Sequence, residues 1–205
     1  MGGPGVHRSL RFVSHLREFE FEPVVLTIKE EDIEKSKSTI DRSLLSKLPD
    51  DIIIQRVESG IPFKLSDILH RLKIYRLFWY FLYPYFWERS AMWPAKAINK
   101  AIELIDANNI EIVYTSSGPF SALKLGYLIK KKRNVKWVAD LRDPYTDAYA
   151  WSYPSRIHWY LSRFKEKKWI GKCDHLIVNT PEVKKLYLKR GLKDESKITV
   201  ITNGF

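Results

Sequence analysis

Six short runs of apolar residues recur along the chain, and within each run the apolar residues are continuous rather than alternating with polar ones. The runs are rich in β-branched residues. Runs of this kind are typical of strands buried on both faces, as in a parallel sheet covered by helices. The pattern predicts six strands, at Val24–Ile28, Ile52–Ile54, Ile112–Tyr114, Trp137–Ala139, Leu176–Val178 and Ile198–Ile201.

Stretches with apolar residues at helical spacing separate most of the predicted strands. The last stretch has well-defined ends, since Thr180 is a good N-cap, Pro181 a good first helical residue and Gly191 a good stop. The predicted helices are Val6–Phe19, 66–89, 94–108, Phe120–Lys132, Arg156–Lys172 and the segment beginning at Pro181. This alternation predicts an α/β fold, a single domain with a Rossmann-like, doubly wound parallel sheet.

The two ends of the sequence are unusual for such a fold. Gly2-Gly3-Pro4-Gly5 is a glycine-rich turn leading into a helix, and such a turn normally follows the first strand of a doubly wound sheet. No apolar run precedes it. At the other end, the strand Ile198–Ile201 runs into the last four residues. We therefore expect residues 1–205 to be one domain truncated at both ends; the alternative for the glycines is an expression remnant.

Composition places the chain among globular proteins. Of its 205 residues, 45% are apolar and 29% charged, with a mean hydropathy of −0.29. One cysteine, Cys173, excludes an intramolecular disulfide and a cysteine-rich zinc site. No signal peptide or membrane-spanning run is visible, so the expected location is the cytoplasm.

The charge is strongly positive and unevenly distributed. The net charge is +11; residues 1–60 hold 9 basic and 11 acidic residues, whereas residues 61–205 hold 26 and 13. Such a basic surface favours an anionic partner: nucleic acid, anionic lipid or a phosphorylated ligand.

The segment Leu65–Trp93 combines aromatic and basic residues. Within it, Leu77–Trp87 has eleven uncharged residues, eight of them aromatic, and basic residues flank this run. Aromatic rings favour the headgroup region of a bilayer, and cations favour anionic lipid. The segment predicts peripheral contact with a membrane; the alternative is a core helix or a domain-packing surface.

Three polar elements are candidates for chemistry at the carboxyl ends of the predicted strands. The glycine turn, with Gly3 and Gly5, would let backbone N–H groups approach an anion beside His7, Arg8 and Arg11, although it lacks the full dinucleotide fingerprint.

The second element is Tyr114–Pro119, in which Ser116 and Ser117 follow a strand and precede a helix. These small hydroxyl residues predict a ligand crevice, and the alternative is plain N-capping by Ser117.

The third element is Asp140-Leu141-Arg142-Asp143, directly after a buried strand. The aspartates suit hydrogen bonding to a sugar or base catalysis, and the arginine suits phosphate binding. A structural ion pair is the alternative. The five histidines have no metal-ligand spacing, and no nucleophile elbow or Walker A loop is present, so no metal is predicted.

The order of these fragments resembles the N-terminal domain of glycosyltransferase family 4, a group of retaining, metal-independent sugar transferases with the GT-B fold. The fragments that carry the resemblance are Gly2–Arg8, Pro23–Thr27, Thr115–Ala122, Trp137–Pro144, Cys173–His175 and Ile198–Phe205, of which the last is the most telling. Together they cover nearly the whole chain.

The resemblance implies the acceptor-side half of an enzyme whose other domain binds a nucleotide-sugar. We expect this enzyme to transfer a hexose. The basic surface and the aromatic segment predict its acceptor, a polyprenyl-diphosphate-linked sugar or another glycoconjugate at the cytoplasmic membrane face, as in polysaccharide biosynthesis. No metal or other cofactor and no nucleic acid is implied. The implied catalytic residues are Asp140, Arg142 and Asp143, and the implied substrate-binding residues are Gly3, Gly5, Arg8, Ser116, Ser117 and Asn203.

Two departures from the family pattern affect the expected activity. The first strand and the donor domain are missing from the 205 residues, so the chain alone is expected to be inactive. Many members carry a catalytic histidine after the strand that matches Trp137–Ala139, and Arg142 takes that place here. The remaining alternatives are a nucleic-acid-binding module, an NAD-dependent Rossmann enzyme and a non-catalytic partner of a separate donor domain.

Overall fold

A computed structural model describes residues 4–35, 41–60, 71, 80–81, 88, 90–147 and 153–203. Six strands lie in these ranges: β1 (Val24–Ile28), β2 (Ile53–Val57), β3 (Ile112–Ser117), β4 (Lys136–Leu141), β5 (His175–Val178) and β6 (Ile198–Val200). The α-helices that lie wholly within these ranges are α1 (Pro4–His15), α2 (Glu30–Lys35), α3 (Trp93–Ala107), α4 (Ser121–Lys132), α5 (Arg156–Ile170) and α6 (Pro181–Lys189). Short 3₁₀ helices span Leu16–Phe19, Arg42–Lys47 and Glu195–Lys197.

All described strand pairs are parallel, and they form two sheets. β1 pairs with β2, and the other four strands are hydrogen-bonded in the order β3-β4-β5-β6. The predicted α/β fold with parallel strands is therefore confirmed, and each of the six apolar runs forms a strand. The strands differ from the expected single sheet in being divided between two.

Two hydrophobic clusters cover these sheets. The larger one surrounds the four-stranded sheet, where the side chains of Trp137, Leu141 and Leu176 are fully buried. The second lies beneath α3 and α4, and Leu26 and Val57 of the small sheet pack against it. Helix α3 thus holds the small sheet to the rest of the core.

Helix α4 lies unusually close to β4. A Cβ atom at Gly126 would overlap the indole ring of Trp137, which is fully buried. The indole N–H donates to Thr115 Oγ1 at 2.9 Å, so the ring orientation is fixed from the β3 side as well. Glycine at this position is therefore required by packing, even though it weakens a helix.

The predicted helix ends are mostly confirmed. Thr180 caps α6 by accepting a hydrogen bond from the Val183 N–H at 3.3 Å, and Gly191 adopts a positive φ of 59° after it. At the other end of the chain, α1 begins at Pro4, so Gly5 lies in its first turn rather than in a preceding loop. Proline is well suited to begin a helix, which explains the earlier start.

Most of the aromatic segment Leu65–Trp93 lies outside the described residues, as does most of the predicted helix 66–89. Of its aromatic run, Tyr80 and Phe81 are described, and both side chains are exposed. The predicted membrane contact of the segment as a whole stays a prediction.

Candidate functional site

The carboxyl ends of β3 and β4 bring together the polar residues that follow these strands. Ser116 lies beside Asp140 in the parallel register, and Tyr114 lies two residues earlier on β3. Since side chains alternate along a strand, Tyr114, Ser116 and Asp140 lie on one face of the sheet. The predicted crevice residues Ser116 and Asp140 are therefore neighbours.

Arg8 of α1 is the partner of Asp140. Its Nε donates to Asp140 Oδ2 at 2.7 Å, and its Nη2 donates to Oδ1 at 2.9 Å. Arg8 is 7% exposed and Asp140 is fully buried. A bidentate pair of this kind fixes both side chains and neutralises a carboxylate that would otherwise be very costly to bury.

Two aromatic rings complete the surroundings of this pair. The Tyr114 hydroxyl donates a short hydrogen bond to Asp140 Oδ2. The Tyr114 ring stacks on Phe12 of α1 with ring centroids 5.0 Å apart, and the Arg8 guanidinium lies over Phe12 at 5.5 Å. Burial, together with the negative charge of Asp140, raises the pKa of Tyr114 above its ordinary range, so the phenol stays a donor.

The chain that leaves β6 also meets Arg8. Arg8 Nη1 donates to the Thr202 carbonyl at 3.2 Å and to Asn203 Oδ1 at 3.4 Å, and the Asn203 N–H donates to Asn179 Oδ1 at 2.8 Å. A cavity of about 340 Å³ opens here. It is lined by His7, Arg8, Arg11, Phe12, Ile201, Thr202 and Asn203.

The turn between β3 and α4 is held by Arg142. Its Nη2 donates to the Gly118 carbonyl at 2.5 Å, and its Nε donates to the Ser117 carbonyl at 3.4 Å. Gly118 has a φ of 124°, and a Cβ atom there would overlap the Arg142 guanidinium. Arg142 thus bonds to this turn, whereas Asp140 bonds to Arg8 and Tyr114.

N-capping by Ser117 is wrong. Helix α4 begins at Ser121, and the Glu88 carboxylate accepts hydrogen bonds from its first N–H groups, from Phe120 at 2.8 Å and from Ser121. The Ser117 hydroxyl is buried and has no hydrogen-bond partner among the described residues. Burial raises the pKa of Glu88, because the carboxylate has lost most of its contact with water.

Asp143 and Gly5 are the remaining predicted site residues that the structure describes. Asp143 is exposed two residues beyond the end of β4, Gly5 lies in α1 three residues before Arg8, and Gly3 lies outside the described residues. Asp143 begins a loop that is fixed by hydrogen bonds to a buried carboxylate, that of Glu166. Glu166 of α5 accepts from the Thr146 hydroxyl at 2.6 Å and from several further donors.

The comparisons with known proteins agree with this architecture. The family model described as Glycosyltransferase Family 4 matches residues 10–205. The chain belongs to glycosyltransferase family 4. Arg8 lies two residues before the matched range, whereas the candidate site residues at the ends of β3, β4 and β6 lie within it. None of the curated proteins compared with this glycosyltransferase chain matches it.

Three residues of the candidate site are not predicted by the sequence. In the sequence Tyr114 is only the start of a motif, and Phe12 and Glu88 are only members of predicted helices. A tyrosine in a strand that ends in small polar residues was the available signal for Tyr114. Nothing in the local sequence pattern indicates the role of Glu88, because the helix that it caps, α4, begins more than thirty residues further along the chain.

Among the residues the structure describes, no helix is long and apolar enough to cross a membrane. The same ranges of the glycosyltransferase domain contain no group of three or more histidine, cysteine, aspartate or glutamate side chains placed to hold a metal ion.

Proposed function

We propose that this chain is the acceptor side of a retaining glycosyltransferase that moves a hexose from a nucleotide-sugar to a glycoconjugate or polyprenyl-linked acceptor without a metal. Membership of the family supports sugar transfer. The observation that carries the acceptor assignment is the cavity at the first turns of α1, where Arg8 is held by Asp140 beside Asn203.

The cavity has the charge that a phosphorylated acceptor requires. His7, Arg8 and Arg11 all lie in the first two turns of α1, near the positive end of its dipole. A guanidinium binds phosphate oxygens through paired, charge-assisted hydrogen bonds. The diphosphate of a polyprenyl-linked sugar is an anion of this kind.

Asp140 suits the role of a positioning residue. It is fully buried, and its oxygens accept hydrogen bonds from Arg8 and Tyr114. The bonds of Arg8 to Thr202 and Asn203 are longer than those to Asp140. The Nη1 group is therefore the part of Arg8 that is most easily redirected to a bound phosphate.

Asp143 and Arg142 are the better candidates for contact with sugar. Asp143 is exposed beyond the end of β4, and Arg142 is partly exposed beside the β3–α4 turn. A carboxylate at this edge accepts hydrogen bonds from sugar hydroxyls, and preorganised donors nearby stabilise charge that develops on a leaving diphosphate.

Ligand binding tests the proposal. A short-chain prenyl diphosphate sugar is titrated into the 205-residue chain by calorimetry, in parallel with a nucleotide-sugar, both with and without EDTA. The acceptor analogue is expected to bind more tightly, and chelation is expected to change nothing. The exposed variant Arg11→Gln should weaken binding by about tenfold, since a charge-assisted hydrogen bond is worth about 1.5–3 kcal/mol.

The matched control is Arg17→Gln, which removes a partly exposed arginine from the 3₁₀ helix after α1 and lies outside the cavity. It should bind like the wild type. Tighter binding of the nucleotide-sugar than of the acceptor analogue, or equal weakening by both variants, would contradict the acceptor assignment.

A further inference from the structure

Helix α5 presents two opposite faces. His158, Ser162, Glu166, Trp169 and Ile170 point inward and are buried. On the other side, apolar residues at helical spacing are exposed to solvent: Ile157 is 66% exposed, Tyr160 65%, Leu161 40% and Phe164 65%. Large apolar side chains at positions i, i+3, i+4 and i+7 normally face a core. Here the stripe faces outward.

A second segment with exposed aromatic residues packs against α5. The His158 ring packs against the Tyr80 ring with centroids 4.9 Å apart, and the Tyr80 carbonyl lies 2.9 Å from His158 Nε2. Phe81 stacks edge-on against Tyr80 and is 66% exposed. The exposed side chains of Tyr80 and Phe81 therefore lie beside α5, and we call them together with the α5 stripe the aromatic face.

Cations lie at both ends of the stripe. Arg156 begins α5, and Lys167 and Lys168 follow the apolar residues on the exposed side of its last turn. No described carboxylate forms an ion pair with any of these three. The Tyr127 ring centroid lies 5.7 Å from the Lys168 Nζ and 6.0 Å from the Lys131 Nζ, so Lys131 of α4 joins the same cationic surface.

The exposed side of α5 carries no negative charge, because the one acidic residue of the helix, Glu166, is buried and accepts hydrogen bonds from Thr146 and Tyr187. An apolar, aromatic centre with cations at each end and no carboxylate complements a layer of anionic headgroups above acyl chains. A protein partner would have to present both carboxylates for these cations and a flat apolar patch for the aromatic residues, whereas an anionic membrane supplies both features.

We propose that the aromatic face docks the domain on an anionic membrane, with the α5 axis lying in the plane of the interface. Tyr160 and Phe164 enter the headgroup region, and Arg156, Lys167 and Lys168 contact lipid phosphates. Membrane docking rests on the proposed function and deepens it, since it would bring the domain to the layer in which a polyprenyl-linked acceptor resides. Docking on vesicles requires neither donor nor acceptor, so it can be tested separately from sugar transfer.

Vesicle co-sedimentation of the 205-residue chain tests the proposal. The vesicles contain phosphatidylglycerol and phosphatidylcholine, or phosphatidylcholine alone, with no sugar ligand present. Wild-type protein should bind the anionic vesicles, and binding should weaken with salt without disappearing. The Lys167→Glu/Lys168→Glu variant should bind at least roughly tenfold less, since each basic residue contributes about fivefold near an anionic surface. Tyr160→Ser/Phe164→Ser should lose the part of binding that resists salt.

Two matched controls change the same residue types elsewhere. Phe19→Ser/Phe21→Ser removes two other exposed aromatic residues, and Lys185→Glu/Lys189→Glu reverses two exposed charges on α6. Both controls should bind like the wild type, after circular dichroism shows that every variant is folded. Absence of binding by the folded wild type, or equal losses in the α5 variants and their controls, would overturn the proposal.

A site-specific probe gives a second readout. Cys173 is buried, so an environment-sensitive fluorophore can be attached to Ile157→Cys, with Phe19→Cys as the comparison. A blue shift on anionic vesicles at position 157 and none at position 19 is expected. A lipid-free dimer that Tyr160→Ser/Phe164→Ser dissociates would instead assign the face to a second copy. Salt-sensitive RNA binding without vesicle binding would assign it to nucleic acid.

Discussion

The Arg8 guanidinium donates to both oxygens of Asp140, which is 132 residues away in the sequence. Removing one partner should destabilise the fold strongly, because it leaves a buried charge without compensation. We expect Arg8→Ala and Asp140→Ala each to lower the free energy of unfolding by about 3–5 kcal/mol. Urea denaturation measures this loss.

The double variant Arg8→Met/Asp140→Leu should be less destabilised than the sum of the single variants, because no charge is stranded. Arg17→Ala, which removes a partly exposed arginine that pairs with Glu22 and Asp51, is the control and should cost no more than about 1 kcal/mol. Additive single losses would show that the two side chains are not coupled.

Gly126 should not tolerate a methyl group. Replacing a glycine within a helix by alanine normally raises the free energy of unfolding by about 1 kcal/mol. Here, however, the Cβ atom would overlap the Trp137 ring. We expect Gly126→Ala to lower the unfolding free energy by about 1–3 kcal/mol. In a thermodynamic cycle, Trp137→Phe should relieve part of this loss, whereas a stabilised Gly126→Ala protein would mean that the helix and the ring are not in contact.

The cap that Glu88 provides to α4 should be measurable. Glu88→Ala leaves the Phe120 and Ser121 N–H groups without their acceptor, and we expect a loss of about 1–2 kcal/mol by thermal or urea denaturation. Glu182→Ala, in the exposed first turn of α6, is the control and should cost less than about 1 kcal/mol. Similar losses for the two variants would count against a specific cap.

Lys165 should make the free energy of unfolding depend on pH in the alkaline range. Burial, with the nearby charge of Lys124, lowers the pKa of Lys165 from its ordinary value of 10.5 to about 8. Between these values the unfolded chain binds more protons, so stability rises with pH. At neutral pH we expect Lys165→Met to be more stable than the wild type by at most about 1 kcal/mol, since the group is partly exposed.

This advantage of Lys165→Met should shrink as the pH rises above about 8 and vanish above about 10.5. Urea denaturation at neutral pH and at alkaline pH measures both values, with Lys189→Met on the exposed side of α6 as the control. An advantage that is independent of pH would attribute the effect to packing rather than to charge.

The strands were predictable because burial on both faces leaves a local mark in the sequence, as in Trp137–Ala139. Which strand lies beside which leaves no such mark. The division of the strands into two sheets, between β2 and β3, is therefore visible only in the structure. The polar residues at the carboxyl ends, such as Ser116 and Asp140, were found for the same local reason, since they follow buried runs directly.

The partners of these residues were not predictable. Asp140 bonds to a helix near the start of the chain, and α4 is capped by Glu88 rather than by the neighbouring Ser117. Spacing rules describe contacts within a helix or along a strand. They carry no information on which distant side chain reaches a given strand end, so the partners of Asp140 and of the α4 N-terminus are visible only in the structure.

The bonds that Arg8 makes connect α1 to β4 and to the carbonyl of Thr202, 194 residues further along the chain. Contacts that close such long loops form late in folding, after the local crossovers between neighbouring strands are in place. Their loss should therefore accelerate unfolding while leaving the folding rate nearly unchanged. The Arg8–Asp140 pair would then contribute mainly to kinetic stability, because its strength would set the unfolding rate and so the time for which a folded molecule resists proteases.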